Sequence, residues 1–232
     1  MKNYLIVGGS SGIGQALAEL LASEGHQVFA TFQRHEPTNT NSGINYHYCN
    51  VLDESLDLEF LPEVLDGIAY CPGSIQLKPF HRIQPMDFVS DYQLQVVGAV
   101  KVLQAILPRL KKAENSSVIL FSTVAVQLGL PFHSLVAASK GALEGLTKAL
   151  AAEFAPRIRV NAIAPSLTDT PLAANLLNSE EKRTSNAQRH PLKKLGTPSD
   201  IAHMAAFLLS DKAGWISGQV FPVDGGMSSL KV

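Results

Sequence analysis

Leu5–Ile6–Val7 runs straight into Gly8–Gly9–Ser10–Ser11–Gly12–Ile13–Gly14, and a helical pattern begins inside that run. A strand that turns through glycines into a helix makes a phosphate cradle. The first turn of a helix carries N–H groups without intrahelical acceptors and the positive end of the helix dipole. Each glycine has its own reason to be there. Gly8 permits the tight turn out of the strand, Gly12 lets the backbone approach a pyrophosphate, and Gly14 lets the helix pack closely on the sheet. Ser10 and Ser11 add hydroxyl donors. The run predicts a nicotinamide dinucleotide held over Gly8, Ser10, Ser11, Gly12, Ile13 and Gly14.

The rest of the chain alternates two kinds of segment. Strands are expected at Tyr4–Val7, Gln27–Thr31, Tyr46–Cys49, Gly67–Tyr70, Ser117–Ser122, Arg159–Ile163 and Gln219–Pro222. Helices are expected at Gly12–Ser23, Phe88–Leu110, Ser134–Phe154 and Ser199–Leu209. In the first helix Ile13, Leu17, Leu20 and Leu21 recur at three- and four-residue steps, which lays an apolar stripe on one face. The strands are apolar without alternation, so both faces must be covered. The expected fold is α/β: a Rossmann-type doubly wound parallel sheet of about seven strands in one domain over residues 1–232. Ligands are expected at the carboxyl ends of the strands.

Composition narrows the partners. Lys and Arg number 19 against 20 Asp and Glu, which argues against nucleic acid or an anionic membrane surface. The apolar run near the N-terminus is too short for a signal peptide core or a membrane span. Cys49 and Cys71 form no CxxC pair and read as free thiols in a reducing, cytoplasmic setting. The second strand ends in Thr31–Phe32–Gln33–Arg34–His35, with no acid before Glu36 to hold a free ribose 2′-hydroxyl. Arg34 suits a 2′-phosphate, so NADP(H) is expected over NAD(H).

The GxxxGxG spacing of Gly8, Gly12 and Gly14 resembles the short-chain dehydrogenase/reductase family, and the resemblance continues nearly end to end. Asn50–Val51 resembles the family's Asp-Val pair beside the adenine. Tyr70–Cys71–Pro72–Gly73 stands where the family usually has Asn-Asn-Ala-Gly. Arg159–Pro165 is similar to the segment leading to the nicotinamide pocket; Ser166 replaces a usual glycine there, and Thr168 and Thr170 remain to hold the carboxamide. Gly218–Gln219 through Asp224–Gly225–Gly226 matches the C-terminal signature. The resemblance implies that Asn50, Val51, Cys71, Pro72, Gly73, Lys140, Pro165, Thr168 and Thr170 join the cofactor-binding set. It also implies hydride transfer between the nicotinamide and a small-molecule carbonyl or alcohol. Homodimers or homotetramers are implied through the two long helices.

In that family a tyrosine moves the proton, a nearby lysine lowers its pKa and binds the ribose, a serine polarises the carbonyl, and an asparagine supports a relay water. Lys140 matches the lysine, but Val136 stands in the place of the tyrosine, Thr123 in that of the serine and Gln95 in that of the asparagine. Valine cannot move a proton. His133 lies seven residues before Lys140, two helical turns back, and histidine titrates near neutral pH. The enoyl-reductase branch of the superfamily places its tyrosine at that spacing. Tyr70 is a second candidate. The expected catalytic set is Lys140, Thr123, His133 and Gln95.

His81, His190 and His203 stand apart and suggest no metal site. Residues 171–195, bounded by prolines and rich in polar side chains, read as a substrate lid. Two functions fit. One is an NADP(H)-dependent oxidoreductase acting on a small carbonyl, alcohol or activated double bond, with His133 or water as proton source. The other is a nucleotide-binding homologue without turnover, serving as a sensor or partner subunit.

Overall fold

The computed structural model describes residues 1–34, 37 and 43–231; His35 and Glu36 lie outside the described residues. Seven strands form one sheet: β1 (Asn3–Val7), β2 (Gln27–Phe32), β3 (Ile44–Tyr48), β4 (Gly67–Tyr70), β5 (Ser116–Phe121), β6 (Ile158–Pro165) and β7 (Val220–Val223). All neighbouring pairs are parallel, in the order β3-β2-β1-β4-β5-β6-β7. Among the described residues seven α-helices accompany them: α1 (Gly12–Ser23), α2 (Pro85–Tyr92), α3 (Gly98–Lys112), α4 (Ala125–Leu128), α5 (Ser134–Phe154), α6 (Glu180–Gln188) and α7 (Pro198–Leu209).

Strand β1 shows why its residues are apolar without a break. Leu5 and Val7 enter one core with Val102 and Ile106 of α3 and Leu143 of α5. Tyr4 and Ile6 enter the other with Leu17 and Leu21 of α1 and Ile201 and Leu208 of α7. The period of two is present, but both faces are dry. Strand order reverses between β1 and β4, so the crevice at their carboxyl ends is the topological switch point. The glycine turn sits there.

The expected helix Phe88–Leu110 is not one α-helix. A π-turn over Gln93–Val97 separates α2 from α3, with the Gly98 N–H reaching the Gln93 carbonyl. Tyr70 accounts for the irregularity. Its hydroxyl donates to the Leu94 carbonyl at 2.6 Å, and a side chain on Gly98 would collide with that hydroxyl. Buried and committed to the helix backbone, Tyr70 has a pKa well above the usual phenol range, chiefly through burial. It is not a proton source, and the sequence expectation for it is corrected. Insertions of this kind into helices are frequent near functional sites.

Candidate active site

The glycine turn has the geometry its sequence requires. Gly8 and Gly12 take φ of +74° and +54°, a region that favours glycine. The Gly8 N–H donates to Thr31 Oγ1 at 3.1 Å and the Gly9 N–H to the Thr31 carbonyl at 2.9 Å, which fixes the turn to β2. A Cβ on Gly14 would collide with the Gly8 carbonyl. Ser11 is the N-cap of α1 in extended conformation, and its side chain makes no capping bond. The first-turn N–H groups therefore stay available to an anion. Gly12 faces Thr170, whose Cγ2 lies 3.3 Å from the position of a Gly12 Cβ. Pro72 packs against Gly8, its Cδ lying 3.4 Å from the position of a Gly8 Cβ.

Beyond the turn lies a cavity of about 460 Å³. Its walls bring together Ile13, Cys71, Gly73, Pro165, Thr168 and Thr170 of the expected cofactor set. Thr123, His133, Val136 and Lys140 share the same cavity. No Asp or Glu lines it among the described residues, while Lys140, Lys182 and Arg189 do. A cavity of that sign stabilises negative charge developing on an oxygen.

Lys140, only 8% exposed, has no hydrogen-bond acceptor among the described residues. Burial pushes its pKa down to about 8, against the opposing fields of Asp91 and Cys71. Burial pushes the Cys71 thiol up to about 12, against the field of Lys140, so it is neutral at ordinary pH. Thr123 Oγ1 accepts from the Ala125 N–H at 3.3 Å, which leaves its O–H free to donate. Val136 is buried one helical turn before Lys140 and presents only methyl groups to the cavity.

His133 is the N-cap of α5, not a residue of its interior, because Phe132 takes a left-handed φ of 67° just before it. It lines the cavity together with Val136 and Lys140, the side its spacing from Lys140 suggested. Its Nδ1 lies 2.6 Å from the Pro131 carbonyl. A carbonyl only accepts, so Nδ1 carries the proton and Nε2 is free.

Gln95 is fully buried in the π-turn. Its Nε2 donates to Asp91 Oδ2 at 2.7 Å, while Ser74 Oγ donates to the other oxygen of that carboxylate. Gln95 Oε1 has no partner among the described residues. It and Lys140 Nζ each lie 3.5 Å from the position of a Gly73 Cβ. Asp91 thus fixes which end of the amide points toward Lys140. The sequence reading missed Asp91 and Ser74, although Asp91 stands four residues before Gln95, a helical neighbour spacing.

His190 was also missed. Far from standing apart, it is 3% exposed and pairs with Ser166 at the cavity wall. Arg34, Asn50 and Val51 do not line the cavity. They lie at the β2–β3 end, where Gln33 Nε2 donates to Asn50 Oδ1 at 3.0 Å and Arg34 is exposed. That separation suits the two ends of an extended dinucleotide: phosphates on the glycine turn, adenosine toward β2 and β3, nicotinamide in the cavity. The orphaned Gln95 oxygen, the unpaired Lys140 ammonium and the glycine cradle all fit such a group. Among the described residues no His, Cys, Asp and Glu side chains group to hold a metal ion, and no helix is long and apolar enough to cross a membrane.

A family model described as enoyl-(acyl carrier protein) reductase matches residues 7–228. The chain is 31% identical over 241 residues to the 3-oxoacyl-(acyl-carrier-protein) reductase FabG of Thermotoga maritima, covering 97% of each chain. It is 30% identical to a tropinone reductase homolog of Arabidopsis thaliana, over 97% of this chain and 92% of the relative. Among solved structures, ElxO with NADP bound superposes with a TM-score of 0.89 at 27% identity, over 99% of this chain and 100% of the other.

Proposed function

The chain belongs to the short-chain dehydrogenase/reductase family, and we propose that it is an NADP(H)-dependent reductase of a small carbonyl compound or activated double bond. One observation carries the reading most: the buried, unpaired Lys140 ammonium and the free Thr123 hydroxyl open into one cavity at the switch point of the sheet. When bound, the reduced nicotinamide supplies a hydride. Gly8, Ser10, Ser11, Gly12, Ile13 and Gly14 hold the pyrophosphate. Asn50 and Val51 flank the adenine, and Cys71, Pro72 and Gly73 line the path between the two ends. Pro165, Thr168 and Thr170 position the carboxamide, and Lys140 binds the nicotinamide ribose with Gln95 behind it.

Thr123 donates to the substrate oxygen. The proton comes from a group other than residue 136, and His133 and water are the sources read from the sequence. An activated double bond lowers the demand on that acid, because an enolate is a better-stabilised charge than an alkoxide. Residues 171–195 act as the substrate lid over a single domain, their Leu172, Asn175 and Leu176 lining the cavity. The long helices α3 and α5 support homodimers or homotetramers, and the setting is cytoplasmic.

NADPH consumption against a panel of aldehydes, ketones and enones tests the reading. Steady turnover with at least one class is expected; tight NADPH binding with no turnover across the panel would overturn it. A second reading, nucleotide binding without chemistry, is favoured by one observation, the aliphatic side chain of Val136 in the cavity wall. That panel separates the two.

Arg34 sets the cofactor choice in this reading, since a guanidinium pairs bidentately with phosphate. Arg34→Ala is expected to weaken NADPH binding about tenfold, near 1.4 kcal/mol, and to leave NADH unchanged. Fluorescence titration with both nucleotides checks it; an equal loss for both would mean that Arg34 does not read the 2′-phosphate.

A further inference from the structure

Resting on the reductase reading, we propose that Ser166 and His190 are the proton-delivery pair of this site, carrying a proton from a solvent-side cavity to the substrate oxygen. Ser166 Oγ lies 2.8 Å from His190 Nε2, and His190 Nδ1 lies 2.9 Å from the Asn186 carbonyl. Because that carbonyl only accepts, Nδ1 carries a proton and Nε2 of the neutral ring accepts from the Ser166 hydroxyl. The other neighbour of Ser166 Oγ is Met227 Sδ at 3.1 Å, a weak acceptor. Where the family resemblance implies a glycine with no hydroxyl, this chain carries one, in the same cavity whose wall lacks the tyrosine hydroxyl at Val136.

The placement of the imidazole makes this a path and not only a contact. Ser166, Leu167, Thr168 and His190 line both the reaction cavity and a smaller one of about 180 Å³. Among the described residues, His190 is the only titratable side chain in that shared wall. Its charge environment is mixed. Lys140, Lys182 and Arg189 line the larger cavity, Lys194, Asp200 and Asp224 line the smaller, and Lys193 follows on its own turn.

The step balances. In the protonated pair, Nε2–H donates to Ser166 Oγ and the serine O–H turns into the reaction cavity. As the carbonyl carbon gains a hydride from the reduced nicotinamide, the C–O π pair moves onto oxygen. That oxygen takes the Ser166 proton, Ser166 takes the Nε2 proton, and the imidazole is left neutral. Water reprotonates it through the smaller cavity. One hydride and one proton are consumed for each alcohol formed.

Two readings test the pair. The first is steady-state turnover with NADPH and a substrate turned over by the wild type. Ser166→Ala and His190→Gln are each expected to lose roughly 10²-fold in kcat with little change in KM. Ser166→Ala keeps the buried ring in place should the histidine variant fail to fold. The second reading is independent of turnover: the imidazole Cε1–H resonance missing from His190→Gln should shift in Ser166→Ala.

Absence of wild-type turnover would sink the reductase reading and this pair with it. Wild-type turnover with an unchanged kcat in both variants would sink the pair alone, as would a loss confined to KM. A His190 resonance unmoved in Ser166→Ala would also overturn it.

Discussion

Gly14→Ala is expected to abolish useful dinucleotide binding, weakening NADPH at least about 100-fold, or about 2.8 kcal/mol, and to destabilise the fold by roughly 2 kcal/mol or more. The cause is local and steric. The new methyl would occupy the space of the Gly8 carbonyl, where the end of β1 meets the start of α1. Neither side can give way cheaply. Gly8 and Gly9 are tied to Thr31 by two hydrogen bonds, and α1 is held by Leu17 and Leu21 in a core closed by α7. Relief therefore requires the helix N-terminus to move off the turn, which removes the N–H groups that face the pyrophosphate. Gly145→Ala is the matched control, because that exposed glycine of α5 has open space where its Cβ would stand. NADPH fluorescence titration and thermal unfolding of both variants check the prediction. Wild-type affinity in Gly14→Ala would mean that the turn does not hold the phosphates.

Val136→Tyr is expected to raise kcat/KM for a ketone by roughly 10²-fold, within the usual contribution of a positioned general acid. Residue 136 is on the first turn of α5, one turn before Lys140, and borders the cavity. A phenol there projects into about 460 Å³ of space and approaches the Lys140 ammonium. A cation nearby favours phenolate and lowers the phenol pKa toward the working range. Thr123, with its O–H free to donate, borders the same cavity. The new acid should also relieve dependence on the Ser166–His190 pair, so Ser166→Ala should cost less in that variant than in the wild type. An unchanged rate in a folded, NADPH-binding variant would show that proton supply is not what limits this cavity.

The parts of this site that lay within one turn or one helix were readable from the chain. Gly8 to Gly14 announce a cradle because the steric reasons for each glycine are local. Lys140 and Val136 share a helix, so four residues of spacing place them together. The parallel sheet was readable because strands buried on both faces have no polar alternation. The rest depended on pairs that sequence spacing cannot join. Tyr70 reads as a hydroxyl near the site, and only the fold shows that hydroxyl spent on Leu94 beneath Gly98. Ser166 and His190 lie 24 residues apart, brought together by a segment that folds back beside β6. His133 is the N-cap of the helix expected from Ser134, and its spacing from Lys140 was enough to set it in the same cavity. Asp91 is the exception: its spacing from Gln95 was visible, but that bond becomes meaningful only once the fold sets Gln95 Oε1 and Lys140 Nζ around Gly73.

The central claim is that this chain turns over a nicotinamide dinucleotide even though the side chain one turn before Lys140, Val136, is aliphatic. The most direct measurement incubates the protein with NADPH carrying deuterium at the transferable C4 position and a panel of ketones and enones, followed by mass spectrometry of the products. The predicted result is one deuterium on the former carbonyl carbon, or on the β-carbon of an enone, matched by equal loss of NADPH. Saturable NADPH binding with no deuterium in any product would contradict it and leave a dinucleotide-binding protein without chemistry.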